Sequence, residues 1–110
     1  MKGLEMTMTT TLNTDTVREC AGWVFDPGHE WLEVTGSLMA LARECATGYD
    51  YATRGAVYLE GDVSAHVFVL ALGLTPETWP QLREREFSPR HLPSLAAGPR
   101  GIEFMERTFH

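Results

Sequence analysis

The stretch RGAVYLEGDVSAHVFVLAL, residues 54–72, changes its period halfway along. Up to Gly61 it alternates: Val57 and Leu59 share one face and Tyr58 takes the other, the pattern of a half-buried strand. Beyond Asp62 the apolar residues Val63, Val67, Leu70 and Leu74 recur at i, i+4, i+7 and i+11, and Phe68 and Leu72 widen that stripe. A strand that runs straight into a helix buried on most of its sides needs a sheet to accept the strand and needs that sheet under the helix. Gly73 closes the helix, and the β-branched content of 63–73 leaves a strand as the rival reading. The expected fold class is α+β, a small antiparallel sheet with two or three helices packed on one face.

The flanking segments extend this expectation. YDYATRGAVYLEG reads as a β-hairpin with Thr53-Arg54-Gly55 at its turn and Tyr49 and Tyr51 on one face. TGSLMALARECATG reads as a helix: Leu38, Leu41, Ala42 and Cys45 form one stripe, Thr35 or Ser37 can cap it, and Gly48 stops it. In DPGHEW, Pro27 fixes φ and Gly28 accepts a positive one, so a turn precedes the alternating strand EWLEV. Asn13, Thr14 and Asp15 could cap a short helix, but Val17, Trp23, Val24 and Phe25 favour a strand ending at Asp26. LTPETWPQLREREF restarts as a helix from Thr75 and Pro76 or from near Pro80. SPRHLPSLAAGPRG, 88–101, reads as a long loop, and IEFMERTF as a final strand. Residues 1–110 make one domain, with 1–12 expected to be frayed.

Charge is unevenly spread. Residues 1–62 hold ten acidic and four basic side chains, whereas 63–110 hold five of each, so the net charge of −6 lies in the first part. Such a surface repels nucleic-acid backbones and attracts basic proteins. Cys20 and Cys45 are too few and too far apart for a zinc site and sit among apolar neighbours, which points to buried free thiols in a reducing cytoplasm. No apolar run approaches the ~18 residues of a membrane span, and MKGLEMTMTTTLN lacks the apolar core of a signal peptide.

Asp26, His29, Glu30 and Glu33 form the densest group of polar side chains, but Pro27-Gly28 breaks the helical spacing that would set His29 and Glu33 on one metal. Glu60 ends a strand and Asp62 is placed to cap the following helix, or the two form an acidic corner for a basic partner. His66 sits one turn into an apolar helix, as a satisfied or surface histidine would. The chain contains no Ser-His-Asp or Cys-His arrangement, P-loop or dinucleotide fingerprint. The expectation is therefore no catalytic residue, no metal and no cofactor. The three Trp and three Tyr residues divide between core and interface anchors. ALGLTPETWPQLRERE has the layout of a helix-turn-helix, although Arg83 and Arg85 alternate with Glu84 and Glu86.

Between residues 23 and 72 the chain resembles a family of small uncharacterised proteins encoded on phages, plasmids and integrated elements. DPGHEWLEV, the paired aromatics of GYDYATRG and VYLEGDVSAHVF carry the likeness, with the C-terminal RGIEFMERTF. Family members have Gly-Trp after the histidine where this chain has Glu30-Trp31. They carry Tyr-Leu-Glu-Glu-Asp-Cys-Asp where this chain has Tyr58-Leu59-Glu60-Gly61-Asp62. The resemblance implies the company of mobile-element accessory genes. It leads to the expectation of a non-enzymatic inhibitor, of anti-CRISPR or antirestriction type, that binds a protein or ribonucleoprotein defence complex in the host cytoplasm. Its candidate contacts are Asp26, Glu30, Glu33, Asp50, Glu60, Asp62, Tyr49 and Tyr51. The alternative is a helix-turn-helix-like transcriptional regulator using residues 63–86.

Overall fold

A computed structural model describes residues 14–109, so the expectation for residues 1–12 lies outside the described residues. In chain order the elements are α1 (Thr14–Cys20), β1 (Ala21–Phe25), β2 (Glu30–Val34), a 3₁₀ turn (Gly36–Leu38) and α2 (Met39–Cys45). They continue with β3 (Asp50–Ala52), β4 (Val57–Glu60), α3 (Ser64–Ala71), β5 (Arg83–Glu86), a second 3₁₀ turn (Pro89–His91), β6 (Ser94–Leu95) and α4 (Pro99–Thr108). The strands form one sheet in the order β5-β1-β2-β4-β3-β6. Every pair is antiparallel except β1 with β5, which run parallel with Gly22 opposite Arg83. The fold is α+β.

Strand alternation sorts the sheet into two faces. Ala21, Leu32, Val34, Val57 and Leu59 point to one face and make the main core with Val17, Ala42, Cys45 and Phe68 from α1, α2 and α3. α4 lies against α2 and α3, where Gly98 and Gly101 let two backbones meet: a Cβ on Gly101 would run into the Ala46 carbonyl. The opposite face carries Val24, Trp31 and Tyr58, covered by Phe87 and Leu92. A strap of residues 87–93 thus crosses from β5 at one edge to β6 at the other. Both cysteines are buried and free, and burial pushes the Cys45 thiol up to about 12. Among the described residues no helix is long and apolar enough to cross a membrane.

The hairpin β3–β4, strand β2 and helices α2 and α3 stand where the sequence places them, although α2 follows a 3₁₀ turn and neither Thr35 nor Ser37 caps it with its side chain. Four segments differ. Residues 14–20 form α1, and the strand is only its continuation, Ala21–Phe25. The helix expected after Thr75 stops at one turn, in which the Thr75 carbonyl accepts from the amides of Thr78 and Trp79. Pro80, having no N–H, cannot carry the ladder on. The chain runs on extended into β5, so residues 63–86 contain no second helix and no helix-turn-helix. The expected loop 88–101 holds the second 3₁₀ turn, β6 and the first turn of α4. The expected last strand is α4: Gly98 precedes it, Pro99 is preset for the first helical position, and Gly101, Phe104 and Met105 follow helical spacing on its inner side.

Candidate functional site

At one end of the sheet the β1–β2 turn, the segment before β3 and the β4–α3 join surround a concavity of about 400 Å³. Its wall includes His29, Trp31, Tyr49, Tyr51, Asp62 and Arg90. A shallower depression lined by Asp26 and Glu30 adjoins it through the shared His29, Glu60 and Asp62.

The turn builds the first side. Asp26 Oδ1 accepts the amides of Gly28 and His29 at 2.9 and 3.0 Å, which winds Pro27-Gly28 tightly. Its other oxygen accepts Ser88 Oγ and Arg90 Nε, both at 2.8 Å. The Arg90 guanidinium, helped by the Ser88 hydroxyl, holds the Asp26 carboxyl well below the usual carboxylate range. Arg90 also reaches His29 Nδ1 at 2.8 Å and lies over the Trp31 ring, 5.1 Å from its centroid. Trp31, 2% exposed, is flanked by His29 at 5.9 Å and by Tyr51, edge-on, at 6.3 Å.

A buried carboxylate builds the second side. Asp50, 1% exposed, accepts the amides of Thr47 (2.8 Å), Gly48 (3.2 Å) and Glu60 (2.7 Å) and the Ser64 hydroxyl (3.1 Å). A buried charge persists when donors surround it, and these four tie β3, β4 and α3 together. Helix α3 begins beside it, but Asp62 does not cap it. Glu60 instead reaches forward from the strand end and accepts the amides of Asp62 and Val63, each at 2.9 Å. Gly61 closes the corner. Its amide donates to the Glu30 carbonyl at 3.0 Å, and a Cβ there would meet the Glu30 side chain at 2.8 Å.

The eight sequence candidates therefore separate. Asp50 and Glu60 line the concavity and Asp26 the adjoining depression, each while holding the local backbone in place. Glu33 lies apart, on the strap-covered face, accepting Tyr58 Oη at 2.8 Å and Arg85 at 2.7 Å. Its bonds and those of His29 are made with different partners, which removes the shared-metal geometry. Among the described residues no group of three or more His, Cys, Asp or Glu side chains is placed to hold a metal ion. Glu30 and Asp62 are exposed, and neither carboxylate has a hydrogen bond or ion pair among the described residues. Tyr49, 71% exposed, and Tyr51 form the aromatic wall beside them. Sequence reasoning did not include Trp31 and Arg90 in the site. Trp31 read as an ordinary strand aromatic, and Arg90 sits some sixty residues from Asp26 in a segment taken for a loop.

Compared with protein-family models, curated proteins and solved structures, the chain matches none.

Proposed function

We propose that this chain is a non-catalytic inhibitor that binds a partner protein through the acidic end of its sheet. One observation carries the reading: Glu30 and Asp62 line the same depression at the Gly61 corner, exposed and, among the described residues, unpaired, while the other acids of that end are occupied internally. Two neighbouring carboxylates without a cation repel each other, and a basic surface on a partner relieves that repulsion on docking. The exposed Tyr49 beside them offers the rigid contact area on which interfaces draw for affinity. The resemblance to mobile-element proteins supports a host defence complex, CRISPR or restriction, as the partner.

The test is a phage challenge in hosts carrying defined CRISPR or restriction systems, with the wild type and the variants Glu30→Lys and Asp62→Lys. Both side chains are exposed and, among the described residues, unbonded, so the variants should keep the fold. The expected result is plaquing restored by the wild type and lost in both variants, with binding of the purified complex weakening as salt rises. Restoration that the variants retain overturns this surface as the interface, and no restoration in any host overturns the inhibitor reading.

A further inference from the structure

We infer that the concavity beside Trp31 receives a single arginine side chain of the partner, stacked against Tyr49 and Tyr51 and paired with Asp62, while Glu30 in the adjoining depression adds to the negative field at its mouth. The inference rests on the protein-binding reading above and names the group that is bound.

Size, wall chemistry and charge point the same way. About 400 Å³ lies near the lower end of the ~300–1,000 Å³ range of ligand sites, which suits one side chain better than a folded segment. Aromatic rings form much of the wall, and the faces of such rings attract cations. Arg90 is the one lysine or arginine among the lining residues, and Asp26 already balances it at 2.8 Å. Among the described residues the carboxylates of Glu30 and Asp62 have no counter-charge, so the site selects against an anion.

The molecule also contains its own example of the recognition. Arg90 is held with its guanidinium between the Asp26 carboxylate and the Trp31 ring. The other half of the concavity has the same ingredients, the Asp62 carboxylate and the Tyr49 and Tyr51 rings, with no lysine or arginine besides Arg90 among the described lining residues. A planar guanidinium can stack on a ring and donate in its plane at the same time, which a lysine ammonium cannot. The incoming side chain is therefore arginine rather than lysine.

The experiment is an amide-resolved NMR titration of the whole chain with N-acetyl-arginine amide, N-acetyl-lysine amide and the neutral isostere N-acetyl-citrulline amide. Saturable shifts are expected from the arginine compound at Gly48–Tyr51, at Gly61–Val63 and at the Trp31 indole, with weaker ones from lysine and none from citrulline. Tyr49→Ala, at a side chain 71% exposed and so harmless to the fold, should weaken arginine binding about three- to fivefold. Equal shifts from citrulline, tighter binding of lysine, or arginine shifts spread over the remaining surface would overturn the inference. Absence of arginine shifts while Glu30→Lys and Asp62→Lys still abolish inhibition overturns the arginine pocket and leaves the protein-binding reading standing. Localised arginine shifts without inhibition in any host support the pocket and overturn the inhibitor.

Discussion

The two faces of the sheet are closed by different physics. On one, helices α1, α2 and α3 lay apolar side chains on Leu32, Val34, Val57 and Leu59. On the other, an irregular strap covers Val24, Trp31 and Tyr58 with Phe87 and Leu92 and is fastened by directed polar links. Those links are Arg85 to Glu33 to Tyr58 and Arg90 to Asp26, with Arg85 and Arg90 each lying over an aromatic ring. Area removed from water holds the first face, and a few geometric bonds position the second. The candidate site belongs to the second, because the strap delivers Arg90 to it. The candidate site thus depends on contacts between residues far apart in the chain.

The largest effect should come from the helix-covered face. Phe68 is fully buried among α3, α2 and the sheet, so Phe68→Ala is expected to cost about 3–5 kcal/mol in denaturant unfolding. A loss below about 1 kcal/mol would erase the distinction between the faces. On the strapped face Tyr58→Phe keeps the ring and removes one donor to Glu33, at an expected cost of about 1 kcal/mol. The same variant carries a pH signature. Burial and the neighbouring Glu33 push the Tyr58 hydroxyl up to about 12, above its value near ~10 in an unfolded chain. Its contribution is present below that lower value and is lost as pH rises toward the upper one, so stability against alkali should fall less steeply in Tyr58→Phe.

The smallest effect is expected at the clip. Arg90 holds the Asp26 carboxyl below its ordinary range, so the clip's contribution is present above pH ~4 and is lost as pH falls below that value. Arg90→Ala should lower the denaturation midpoint slightly at neutral pH and flatten its decline in acid. Urea titrations from neutral pH into acid measure both. A wild-type and a variant curve running parallel through the acid range would show that Arg90 does not set the Asp26 affinity for protons.

The helix-covered face was legible because its signal is periodic and local. The stripe of α2, the alternation of β2 and β4 and the switch of period at Gly61 each follow from a dozen residues. The strapped face was not, because its partners are far apart in the chain: Asp26 with Arg90, Glu33 with Arg85, Phe25 with Phe87. RERE looked helical after Thr-Pro-Glu, and only its parallel seat beside β1 makes it a strand. The same divide runs through the site. Composition marked Glu30, Asp62, Tyr49 and Tyr51, which face solvent or the concavity. It could not tell them from Asp26, Asp50 and Glu60, whose oxygens are spent on nearby backbone amides and, for Asp26, on Ser88 and Arg90 far along the chain. At Asp62 the error was one of reach: a residue at a helix start usually caps it, yet here Glu60 arrives first.

Among the described residues strand β5 is an edge strand of the sheet, and open edges invite aggregation. Arg83 and Arg85 project to one side of that strand, Glu84 and Glu86 to the other. A second copy adding its own β5 antiparallel, with its helices on the same side, would set arginine against arginine and glutamate against glutamate across the seam. Like charges directly opposite are destabilising at each rung. The alternation that made this segment hard to assign thus works against edge-to-edge joining of two copies in that arrangement.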